Sequence, residues 1–131
     1  MRIAVLWIFM AVAMSASMEL SVFEPGVIEQ IVSGKMQIGE EMFLFMALFW
    51  LIPLTMAYLS VTLKDLANRR ANITLGILFT ALNIFHLIFE LMVQPSTHMV
   101  QWSLHQLLID GSTVVVTALI VWHAWKWPKE P

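Results

Sequence analysis

Along the chain, apolar positions gather into four long stretches separated by polar ones: Ile3 to about Leu20, Met42 to Leu63, Ala71 to Val93, and about Met99 to Trp125. A helix needs about 20 apolar residues to cross a hydrocarbon core about 30 Å thick, and each stretch approaches or exceeds that length. Only helices and closed barrels satisfy their own backbone amides in lipid. The alternation over about 10-residue strands that marks a barrel is absent. The pattern therefore predicts an all-α fold: a four-transmembrane-helix bundle forming a single membrane domain over residues 1–131, with one long connection at 21–41.

Composition agrees. Hydrophobic residues make up 60% of the chain and charged ones 12%, and the mean hydropathy is +0.80. A soluble domain carries about 25% charged residues. The absence of cysteine excludes disulfides, thiolate metal sites and a thiol nucleophile. A net charge of −2 excludes a nucleic-acid binder built on a basic field.

Charge also gives a direction. Arg2 precedes the first stretch, Lys64, Arg69 and Arg70 separate the second from the third, and Lys126 and Lys129 follow the fourth, while Lys35 alone lies on the other side. Lys and Arg in short loops stay cytoplasmic, so both termini are expected in the cytoplasm and the protein is expected to be multi-pass in the plasma membrane. Trp122, Trp125 and Trp127 beside Lys126 suit an inner interfacial anchor, and Trp102 an outer one. Met1-Arg2, an apolar run and Ser15-Ala16-Ser17 come close to a cleavable signal peptide. An uncleaved first helix is preferred, because the apolar register continues to Leu20 and resumes at Val22-Phe23. The small residues Ala11, Ala13, Ser15 and Ser17 suit close helix contact.

In the long connection, Glu24-Pro25-Gly26 begins a turn. Val27, Ile28, Ile31 and Val32 then share one face of a short amphipathic helix, which either lies at the interface over the outer end of the bundle or is a packed connector. Glu40 and Glu41 fall in the first turn of the second helix, where negative charge suits the helix dipole. Pro53 removes a backbone donor there and is expected to kink it.

Several segments are distinctive: Leu6-Trp7-Ile8-Phe9, Pro25-Gly26, Ile52-Pro53, Ala67-Asn68-Arg69-Arg70-Ala71-Asn72-Ile73 and Ala124-Trp125-Lys126-Trp127-Pro128. Together they resemble a family of small bacterial four-helix membrane proteins of unknown function, over nearly the whole chain. Members usually read Asn-Arg-Trp-Ala-Asn at the inner turn, where this chain has Arg70 in place of the tryptophan. The resemblance implies the fold and a bacterial inner membrane, and supplies no active site.

The chemistry lies in the polar residues within the apolar stretches, which are costly in lipid and face a bundle interior or a wet cavity. At about 100° per residue, Asn72, Gly76, Thr80, Asn83, His86 and Glu90 share one face of the third helix. Ser103, Gln106, Asp110, Thr113 and Thr117 form a stripe on the fourth. With a rise of about 1.5 Å per residue, Glu90, His86 and Asn83 lie about 5, 10 and 15 Å inside the outer end. Depth then pairs Glu90 with Ser103, His86 with Gln106, and Asn83 with Asp110. His98, Glu19, Glu40 and Glu41 ring the mouth of what reads as an outward-facing polar pocket walled by Met, Phe and Trp.

Asn72, Gly76, Thr80, Thr113 and Thr117 are read as interhelical glue, worth roughly 0.6 kcal/mol per hydrogen bond. A carboxylate in lipid costs roughly 2.5 kcal/mol or more, so Glu90, His86 and Asp110 are read instead as candidate acid and base groups. Asn83, Ser103, Gln106, His105 and Glu41 are the candidate ligand-binding residues. His105 lies off the Asp110 stripe and His123 sits among the inner tryptophans. The ten methionines read as adaptable apolar lining rather than a copper relay.

The expected function is binding of an apolar or amphipathic small molecule, a lipid or isoprenoid, with its head at Glu90, His86 and Asp110 and scope for proton transfer. Two alternatives are a non-catalytic accessory subunit and a proton or cation path, which four helices could form only as a homo-oligomer. Membrane lipid and a small apolar ligand are the expected partners. No cofactor is expected: haem between His86 and His105 has little room where helices cross at 8–10 Å. No metal is assigned either, since His86, Glu90 and Asp110 or His105 match no metal-ligand motif.

Overall fold

The computed structural model describes residues 2–37, 39–93 and 104–127. Its elements are α1 (Arg2–Val22), α2 (Val27–Val32), α3 (Glu40–Thr62), α4 (Asp65–Val93) and α5 (Leu104–Trp125). The fold is all-α, and α1, α3, α4 and α5 are each long and apolar enough to cross a membrane. Met99, where the last apolar stretch begins, lies outside the described residues, as do His98, Trp102 and Ser103.

The largest departure from the apolar pattern is at α4, which starts at Asp65 rather than at Ala71. The polar segment from Asn68 to Asn72 is helical because its side chains have partners inside the bundle. Asn72 Oδ1 accepts hydrogen bonds from Trp7 Nε1 at 2.7 Å and Ser60 Oγ at 3.2 Å. Asn72 Nδ2 donates to the Asn68 carbonyl at 2.8 Å and to Asn68 Oδ1 at 2.6 Å. Asn68 Nδ2 in turn donates to the Ser60 carbonyl at 2.8 Å. The network ties α1, α3 and α4 together, and a buried polar group is tolerable when satisfied in this way. Asn72 thus binds α1 and α3, where its place on the polar stripe had aimed it at α5. Arg69 points out of the network to the end of α5, donating to the Ala124 carbonyl at 3.2 Å and the Trp125 carbonyl at 3.3 Å. These are carbonyls that the helix itself leaves unpaired.

Around this end the bundle is tightly packed. Ile3, Trp7 and Met10 of α1 meet Met56 and Ala57 of α3, Phe79 of α4, and Val116, Ile120 and Ala124 of α5. The rings of Phe79 and Trp7 meet edge to face, with centroids 5.7 Å apart. Gly76 permits the approach of α4 to α5, since a Cβ there would lie 2.8 Å from Val121 Cγ2. The threonines contribute less than their spacing predicts. Thr80, Thr113 and Thr117 donate to carbonyls of their own helices, those of Gly76, Asp110 and Thr113.

Packing is closest between α4 and α5, α5 and α1, and α1 and α3, whereas α3 and α4 scarcely touch although two residues join them. A seam is therefore left between α3 and α4. Pro53 is buried within a continuous α3. The short helix α2 has no buried residue, with Val32 82% exposed, so it is not a packed connector. Gly26 and Gly34 bracket it with positive φ, at 85° and 70°, a conformation that costs glycine nothing.

Candidate functional site

The core and the closed asparagine network occupy the half of the bundle nearest the termini. The other half, towards the long connection, is hollow. A cavity of about 470 Å³ lies there, within the common range for small-molecule sites, about 300–1,000 Å³. Met14 and Met18 of α1 and Met42 and Met46 of α3 form one wall, with Phe45 and Phe49 beside them. Leu82, Phe85 and Phe89 of α4 form the other. The aromatic rings run in series from the core to the cavity: Phe79 to Phe49 at 5.2 Å, and Phe49 to Phe45 at 4.9 Å between centroids. Most of the wall is apolar, and no tryptophan is among the described residues that line it.

Polar side chains enter at limited points: Ser17 from α1, Asn83 and His86 from α4, and Asp110 and Thr113 from α5. Of the candidate acid and base groups, His86 and Asp110 line the cavity itself. Glu90 lies one turn along α4 with its Oε1 3.8 Å from His86 Nε2. On the other side of the ring, His86 Nδ1 lies 3.8 Å from Asp110 Oδ2. The imidazole therefore stands between two carboxylates contributed by two helices. Both separations are too long for a hydrogen bond and short enough for strong Coulomb attraction to a protonated ring. Asp110 is buried, Glu90 partly buried and His86 exposed towards the hollow.

The remaining candidates separate. Gln106 points to α1, where its Nε2 donates to Ser17 Oγ, and not to His86. Asn83 lines the cavity with Asp110 and Thr113, and its Nδ2 has no hydrogen-bond partner. His105 Nε2 lies 4.0 Å from Glu24 Oε1, which ties α5 to the connection after α1 and takes His105 away from the His86 cluster. Glu41 is exposed in the first turn of α3 and is not part of the lining. Among the described residues, the buried side-chain atoms without a hydrogen-bond partner are Asn83 Nδ2, Gln106 Oε1 and Asp110 Oδ2. All three lie in the hollow half. Buried polar groups are ordinarily paired, so the concentration of unpaired ones marks this half as the chemically unfinished part of the bundle.

The sequence reading expected methionine in the walls but did not say which methionines form them. Met14 with Met18 and Met42 with Met46 are each spaced by four, one face of a helix. Two such pairs on α1 and α3 converge only if those helices are neighbours, which their order in the chain suggests but does not require.

Four apolar helices of membrane-spanning length with a hollow between them define the class: an all-α membrane helix bundle. The chain belongs to the family of unknown function DUF6326, whose model matches residues 1–131. Searches of curated proteins and of solved structures found no match.

Proposed function

We propose that the chain is a single integral membrane domain of the bacterial inner membrane, with both termini in the cytoplasm, and that its outer half binds an amphipathic small molecule, a lipid or isoprenoid. The tail lies against Met14, Met18, Met46, Phe45 and Phe49, and the head meets His86, Asp110 and Asn83, with Glu90 one turn beyond. The observation that carries this reading is the apolar cavity of about 470 Å³ with unpaired polar atoms of Asn83 and Asp110 in or beside its wall. The loose seam between α3 and α4 supports entry sideways from the lipid, which spares a long tail any passage through water. Methionine walls adapt to ligands of varied shape. His86 with its two carboxylates is the group through which a proton would move.

The reading is tested by mass spectrometry of lipids retained by gently solubilised protein. A discrete apolar species should accompany the wild type and be lost from Met46→Trp, which fills the cavity with an apolar ring. Retention of the same species at the same level by Met46→Trp, or of bulk membrane lipid alone by the wild type, would overturn it.

A further inference from the structure

We propose that His86, Glu90 and Asp110 hold a divalent first-row transition ion at the edge of the cavity. The assignment rests on the binding reading above only for what the ion would face. One ring nitrogen and one oxygen from each carboxylate lie within 4.8 Å of one another. An ion of this class binds such donors at about 2.0–2.2 Å, which places two donors of one ion about 3–4 Å apart. Glu90 Oε1 stands 3.8 Å from His86 Nε2 and Asp110 Oδ2 3.8 Å from His86 Nδ1, and the exposed His86 and partly buried Glu90 have room to turn towards one ion.

A second observation comes from Asp110. Its side chain keeps 9% of its surface exposed, and its Oδ2, the atom directed at His86, has no hydrogen-bond partner. A buried carboxylate oxygen without a donor is uncompensated in a low-dielectric interior. A divalent ion supplies the compensation and cancels both carboxylate charges, leaving a neutral centre in the membrane. Neither the helix spacing of His86 and Glu90 nor the position of Asp110 amounts to a metal motif in the sequence, because the third donor comes from another helix.

The donor set selects the ion. Imidazole nitrogen suits zinc and iron, carboxylate oxygen suits manganese and other hard ions, and copper(I) calls for soft sulfur ligands. Zn²⁺, Mn²⁺ or Fe²⁺ is therefore the class, with three protein ligands and at least one position left for a small molecule. An oxygen-bearing head group in the cavity would take that position, so the ion would recognise the head while the methionine and phenylalanine walls hold the tail.

The experiment uses the full chain in detergent, stripped with a chelator, dialysed against Zn²⁺ or Mn²⁺ alone and assayed for bound metal. About one ion per chain is expected in the wild type and in Met46→Trp. Changing a second-shell partner weakens metal binding by roughly ten- to a hundredfold, so His86→Asn, Glu90→Gln and Asp110→Asn should each weaken it by at least roughly tenfold. Glu90→Gln alters a partly exposed group, so its loss of binding cannot be laid to failed folding; circular dichroism of the metal-free variants checks the others. No stoichiometric binding by the wild type, or binding as tight as the wild type's by Glu90→Gln and Asp110→Asn, would overturn the proposal. Lipid retention by the wild type is a separate readout: metal bound by the wild type with no discrete lipid sinks the ligand reading and supports the ion, and the reverse result does the opposite.

Discussion

Asp110 stands opposite His86, with Oδ2 3.8 Å from Nδ1, one helical turn away from the Asn83 partner that the polar spacing assigns to it. A close contact lies at the other end of the same helix pair. A polar stripe that repeats every three or four residues fits a similar stripe in several registers, each one turn apart. Close packing distinguishes such registers: Gly76 of α4 seats the side chain of Val121 of α5 in this one.

Gly76→Ala tests that contact. The added methyl would meet Val121 Cγ2 at 2.8 Å; overpacking costs about 1–3 kcal/mol, against a gain of roughly 1 kcal/mol from better helix propensity. In the wild-type background the substitution should lower stability by about 1 kcal/mol. In a Val121→Ala background, where the obstructing methyls are gone, the same substitution should raise it by a similar amount. Unfolding in mixed micelles measures both. The same sign in both backgrounds would show that Val121 does not set the approach.

The asparagine node should be the most sensitive point in the packed half. Asn72→Ala removes the acceptor of Trp7 and Ser60 and the donor to Asn68, leaving buried polar groups unpaired at about 1–3 kcal/mol each where they cannot rearrange. A loss of about 2 kcal/mol or more is expected. Ser60→Ala leaves Trp7 bound to Asn72, and should cost nearer the roughly 0.6 kcal/mol of a single membrane hydrogen bond. Equal effects of the two would contradict a network centred on Asn72.

How far the fold could be read ahead follows from these contacts. Four spans were legible because lipid demands apolar length, a property of each segment alone. The start of α4 at Asp65 was not, because Asn68 and Asn72 are polar in composition and internal in position; only Trp7 and Ser60, far off in sequence, make that burial tolerable. The convergence of His86, Glu90 and Asp110 was half legible. Glu90 follows His86 by four on one helix, whereas placing Asp110 beside them required the register of α4 against α5, which a periodic stripe leaves open. Gln106 shows the limit most clearly, since its partner Ser17 lies on α1 and no pattern within α5 points to it.

Arg69 and Arg70 are adjacent and equally basic, yet they should differ in their effect. Arg69 caps the end of α5 through the Ala124 and Trp125 carbonyls, where positive charge also favours the helix dipole by about 0.3–1 kcal/mol. Arg70 is exposed. Arg69→Ala should lower stability by about 1 kcal/mol, and Arg70→Ala by no more than roughly 0.5 kcal/mol. The same unfolding measurement decides between them, and a larger loss from Arg70 would mean that the cap is not the stabilising contact.

The absence of cysteine makes the topology directly measurable. Residues carrying positive charge in short loops remain cytoplasmic, and Lys35 is the one basic residue placed on the side of the long connection. Single cysteines introduced at Lys35, Arg70 and Lys126 can each be challenged with a membrane-impermeant maleimide, with no background from the native chain. All three side chains are exposed, so reactivity reports sidedness rather than burial. Lys35→Cys should label in cells whose inner membrane is intact and exposed, while Arg70→Cys and Lys126→Cys should label only after that membrane is permeabilised. The cavity lies in the half that contains Lys35, so this pattern would place its opening in the outer leaflet. The inverse pattern would place the termini outside and the hollow in the cytoplasmic half, where a different pool of lipid would reach it.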